Sequence, residues 1–109
     1  MNTQEILSAY LECAAWAEGL NGDFTKAAIS QATADVEKFA AKNEVDIIQF
    51  MQQNDVEFSQ VGHYFYLSRN GHGAGFFDFW GEGADNLQEA ARVFGQSTAI
   101  KSCRYISFI

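Results

Sequence analysis

The chain contains no proline and only two cysteines, and its seven Lys and Arg are outnumbered by fourteen Asp and Glu. Without proline or low-complexity tracts there is no sign of a linker, and 109 residues suit a single hydrophobic core rather than two. Cys13 and Cys103 lie at opposite ends within apolar patterns, which is the setting of small buried hydrophobes rather than of a disulfide framework. No apolar run approaches the roughly 18 residues of a membrane span, and Glu5 and Glu12 interrupt the first apolar segment. The expected setting is therefore the cytoplasm, with reduced thiols and no membrane contact. The shortage of cations, a formal charge of −7, disfavours direct binding to DNA or RNA, because affinity for phosphates needs a cationic surface that releases counterions.

What the chain has in quantity is aromatic surface: ten Phe, four Tyr and two Trp. That is enough apolar area to offset chain ordering without staples. The first half reads as three helices. Ile6, Tyr10, Cys13, Ala14 and Ala17 repeat at three and four within about Thr3 to Glu18, with Asn2 as N-cap and Gly19 as stop. Ala28, Ile29, Ala32, Val36, Phe39 and Ala40 form the stripe of a second helix, from about Phe24 or Thr25 to Lys42 with Asp23 or Thr25 as its cap, packed on the first as an antiparallel pair. A shorter third helix after Asn43 carries Ile47, Ile48 and Met51 and frays by Asn54.

Beyond Asp55 the texture becomes aromatic and glycine-rich. Alternation through His63-Tyr64-Phe65-Tyr66-Leu67-Ser68-Arg69 predicts a strand, Asn70 to Gly73 a turn, and residues 74 to 80 the returning strand of a β-hairpin. A last helix is expected from Asp85 or Asn86 to Val93 with Gly95 after its end, and the tail past Ser97 as one or two short strands. The expected fold is α+β: an N-terminal three-helix segment packed on a small antiparallel sheet, made of the central hairpin and the C-terminal strands, with one further helix.

Within the predicted hairpin, His63, Arg69, Asn70, His72 and Asp78 gather. A metal reading of His63, His72 and Asp78 is weak, because strand geometry sets one histidine at a strand end and the other at the tip. His63 with Asp78 could do acid/base work, but no nucleophile motif accompanies them. The glycines at 71, 73 and 75 lead into the second, apolar strand of the expected hairpin rather than into a helix, so they are not a phosphate loop. No catalytic residue, metal or cofactor is assigned. Because strand faces alternate, the aromatic residues cannot all enter one core, and the predicted binding surface is Arg69, Asn70, His72, Tyr64, Tyr66, Asp78 and Trp80.

The stretch Gly62-His63-Tyr64-Phe65-Tyr66-Leu67-Ser68-Arg69-Asn70-Gly71-His72-Gly73-Ala74-Gly75-Phe76-Phe77-Asp78 resembles a signature of small uncharacterised bacteriophage and prophage proteins, and the helix ending at Gly95 looks similar too. Where that signature usually carries an acid at position 64 and an arginine at 79, this chain has Tyr64 and Phe79, which implies aromatic packing in place of an ion pair. The resemblance implies an origin in phage and, by analogy, a small acidic protein that docks on a host protein or nucleoprotein complex. The expected function is non-catalytic inhibition or modulation of that partner in the cytoplasm of the host cell, with a restriction or CRISPR defence system as one candidate. The alternative is a small enzyme or metal protein using His63, Arg69, His72 and Asp78. Single-strand nucleic-acid binding through stacked rings is opposed by charge, and a homodimer is a further possible use of the aromatic face.

Overall fold

A computed structural model describes residues 1–109 and shows an α+β fold of five helices and a small three-stranded sheet. Helices α1 (Thr3–Ala17), α2 (Lys26–Lys42) and α3 (Glu44–Asn54) fall where the apolar spacing places them. Asn2 caps α1 by accepting from the Glu5 N–H at 3.1 Å, and Thr25 caps α2 by accepting from Ala28 at 3.0 Å. On α3 the inward pair is Ile47 and Phe50, while Ile48 stays exposed.

The central hairpin is not formed. Residues Phe58–Asn70 are a fourth helix, α4, and the following segment is a glycine-rich loop with one 3-10 turn at Phe76–Asp78. Alternation by two is present in this stretch, yet the buried residues Val61, Gly62, Phe65, Tyr66 and Arg69 follow helical spacing, with Leu67 and Ser68 covered as well toward the end of the helix. Tertiary packing overrides the β preference of the aromatic side chains. Gly62 makes the packing possible: a Cβ there would run into the carbonyl oxygen of Ile6, so only glycine lets α4 lie against α1 at this distance. Asn70-Gly71, read as a hairpin turn, ends the helix instead, with Gly71 at φ 65° as an αL cap. Both structures ask for positive φ at this point, so the dipeptide alone could not separate them.

Helix α5 (Glu82–Val93) starts a turn earlier than Asp85, with Gly81 before it, and runs antiparallel to α3: Asn54 meets Trp80, the backbone of Phe50 meets Gly83, and Asp46 meets Asn86. The sheet comes from elsewhere than the aromatic stretch. Strand β1 (Asp23–Phe24) pairs parallel with β3 (Tyr105–Phe108), which pairs antiparallel with β2 (Ala99–Ser102), so the sheet is mixed, in the order β1-β3-β2. The tail bends at Cys103-Arg104, with Cys103 at φ 57°.

One core of 21 buried residues joins all five helices to the sheet. At its centre the Phe39 and Phe65 rings stack at 4.0 Å, with Phe94 edge-on to Phe65 at 5.2 Å. Such pairs add about 0.5–1.5 kcal/mol each beyond burial. No helix is long and apolar enough to cross a membrane.

Candidate functional site

The residues expected at a hairpin tip divide into two groups with opposite fates. Arg69, on the last turn of α4, is 6% exposed and belongs to the interior. Its Nη1 donates to Asp35 Oδ2 on α2 at 2.8 Å and to the Tyr10 hydroxyl on α1 at 3.1 Å, and its Nε donates to the Gly95 carbonyl at 2.9 Å. The guanidinium also lies over the rings of Phe65 and Phe94, at 5.5 and 5.4 Å. One side chain thus ties four helices together, and it satisfies carbonyls that the end of α5 leaves open. Burial raises the Tyr10 pKa, with Arg69 pulling the other way, so the hydroxyl stays protonated.

Asn70 closes the next joint. Its Oδ1 accepts from the Ser97 N–H at 2.8 Å and the Thr98 hydroxyl at 3.2 Å, while its Nδ2 donates to the Tyr66 and Ser97 carbonyls. This fixes the link from α5 to β2 against the end of α4. Tyr66, fully buried, receives the Ala99 N–H on its hydroxyl at 3.0 Å and donates to Glu18 at 2.8 Å. Glu18 also meets His72 Nε2 at 2.7 Å, and the His72 ring stacks on Tyr66. Ser68 Oγ accepts the Phe76 N–H at 3.0 Å, which draws the glycine loop back onto the helix. From Tyr66 to Phe76, then, these residues work as a clasp that holds the fold. Arg69 and Tyr66 are core residues and leave the predicted binding surface, because helical rather than strand geometry turns them inward; Asn70 is largely spent on internal bonds.

The second group is the loop beyond the clasp. Trp80 is 82% exposed and Phe77 50%, yet the backbone beneath them is pinned. Asn54, at the end of α3, accepts from the Trp80 N–H at 3.1 Å and donates to the Trp80 carbonyl at 3.0 Å. Asp78 folds back to accept from Gly75 N–H, and Gln88 accepts from Phe77 N–H. Phe79 points the other way and packs on Phe50 at 5.1 Å and on Tyr64 at 4.8 Å, edge to face. Tyr64 and Phe79 therefore meet as an aromatic pair beneath the loop.

The charge around this loop is one-sided. From Asn43 to Ala91 the sole Lys or Arg is Arg69, which is buried against Asp35, whereas Glu44, Glu82, Asp85 and Glu89 are all exposed and Asp46 is half-buried. Exposed Val45 and Ile48 on α3 add apolar area to the same pair of helices. Asn54, which sets the Trp80 backbone, had no signal in sequence beyond ending a helical pattern.

The proposed chemical cluster is not assembled. His72 pairs with Glu18, Asp78 caps the 3-10 turn, and His63 lies on the opposite side of Tyr64, its ring 5.4 Å from Trp16. No group of three His, Cys, Asp or Glu is placed to hold a metal ion. Cys13, buried on α1, donates to the His63 carbonyl at 3.4 Å; burial, with Glu18 adding, pushes its thiol up to about 12, so it is no nucleophile at neutral pH. Cys103 is exposed in the β2–β3 turn, against the expectation of burial.

No family model matches the chain, and no curated protein or solved structure matches it.

Proposed function

We propose that the protein is a non-catalytic binding protein that docks on a host protein through the Phe77–Trp80 loop and the acidic α3–α5 face beside it. The observation that carries this reading is Trp80: a tryptophan left 82% exposed on a backbone held at both N–H and carbonyl by one asparagine. Exposed tryptophans are expensive to leave in water, and rings held on a fixed backbone lose little freedom on binding, which is why such residues dominate interface energies. The carboxylates around it define the partner. A surface with an apolar pocket rimmed by Lys or Arg is complementary, and the charge accelerates encounter and makes binding sensitive to salt.

Proteins that handle nucleic acid carry such cationic surfaces, so a restriction or CRISPR component is a consistent target, in keeping with the resemblance to phage proteins. The role is inhibition or modulation by occupancy. In the test, tagged protein is used to capture partners from host lysate at low and high salt, alongside Trp80→Ala and Glu82→Gln. A specific partner should be held by the unaltered chain, lost by about 30-fold or more with Trp80→Ala, as for an interface anchor worth about 2 kcal/mol, and weakened by salt and by Glu82→Gln. Capture that ignores Trp80 would place the interface elsewhere and end this reading.

A further inference from the structure

A second feature lies on the other side of Tyr64 from the docking loop: a groove of about 510 Å³ between α1 and α4. Glu12, Cys13 and Trp16 form one wall and Gln60, His63 and Tyr64 the other. Glu12 and Trp16 are one helical turn apart, so carboxylate and indole share a face. Trp16 is 69% exposed, and its ring, tilted against His63, leaves its remaining surface to the solvent. Rings continue inward from there, His63 to Tyr64 at 5.3 Å and Tyr64 to Phe79 at 4.8 Å.

We propose that this groove is a binding site for a guanidinium group, presented as the arginine side chain of a peptide or protein. Flat π surface next to a carboxylate is what a guanidinium uses best, since it can stack on the indole while its N–H fork engages the carboxylate oxygens. A compact ammonium would use only one of the two. The surroundings favour a cation. Residues 1–25, which include α1, contain no Lys or Arg, and the one on α4 is the buried Arg69. Burial lowers the His63 pKa from its ordinary 6.5, with Glu12 opposing, so the ring beside the slot is neutral at pH 7 and does not repel the ligand.

The test needs no partner, so its outcome is independent of the docking loop. N-acetyl-arginine amide is titrated into the intact protein and the two tryptophan indole N–H signals are followed by NMR, with the citrulline counterpart, isosteric but uncharged, as control. Saturable shifts at the Trp16 indole and the His63 ring are expected, with a dissociation constant on the order of 1–10 mM for so small a probe. The Trp80 indole should not move. The citrulline derivative should bind about fivefold more weakly or worse, and Glu12→Gln, an exposed change that leaves the fold alone, should weaken arginine binding by a similar factor. Equal response to citrulline, indifference to Glu12→Gln, or shifts confined to Trp80 would overturn the assignment.

Discussion

The end of α4 and the loop that follows it are adjacent in sequence and opposite in design. At Arg69 and Asn70 the polar groups of side chain and backbone answer one another, and every buried side-chain nitrogen and oxygen in the molecule has a partner. At Phe77 and Trp80 only the backbone is answered, and the rings are left out. A conspicuous cluster of charged and polar residues is therefore the fold's own fastening, and the surface on which the proposed docking rests is one where hydrogen bonding is complete but apolar burial is not.

Several substitutions sharpen that contrast. The largest effect belongs to Arg69→Met, which strands Asp35 and the carbonyls at the end of α5: a loss of about 3–5 kcal/mol is expected in denaturant unfolding. A loss under 1 kcal/mol would mean the guanidinium is not the fastening it is taken for here. Asn70→Ala removes the partners of Ser97 and Thr98 and should cost about 1–3 kcal/mol; native-state hydrogen exchange should show the Ser97 amide losing protection first.

A smaller effect depends on pH. His63 has a folded pKa below its unfolded value of about 6.5. The unfolded chain thus takes up this proton first as pH falls, so His63's contribution is intact above pH 6.5 and is lost as pH descends toward the folded pKa. His63→Gln should accordingly melt with less sensitivity to acidification between pH 7.5 and 5.5 than the unaltered chain. An unchanged pH dependence would show that the imidazole is not held neutral by burial.

Much of this fold was legible in the sequence, and the exception is instructive. Capping by Asn2, the choice of α2's cap down to Asp23 or Thr25, and the inward stripes of α1 and α2 follow from local rules, with the exception of Ile29, which the stripe includes and the structure leaves exposed. At residues 63 to 69 two periodicities coexist, and local preference favoured the wrong one. The deciding contact, Gly62 against the Ile6 backbone, spans half the chain and leaves no local trace. The error carries through to the site: a hairpin sets Arg69 beside its exposed tip and Tyr66 on an outer sheet face, whereas the helix turns both inward. Trp80 and Asp78 kept their exposure, since neither reading gave them a partner in the core.

The contrast is tested most directly by measuring stability and partner capture together on Asn70→Ala and Trp80→Ala. Asn70→Ala should melt lower, by about 4–8 °C per kcal/mol lost, yet hold the same partner when assayed well below its midpoint. Trp80→Ala should melt within a few degrees of the unaltered chain, in line with a stability change of about 0.5 kcal/mol or less at an exposed site, and hold nothing. Trp80→Ala that melts low, or that captures as well as the unaltered chain, would contradict the division between fastening and surface.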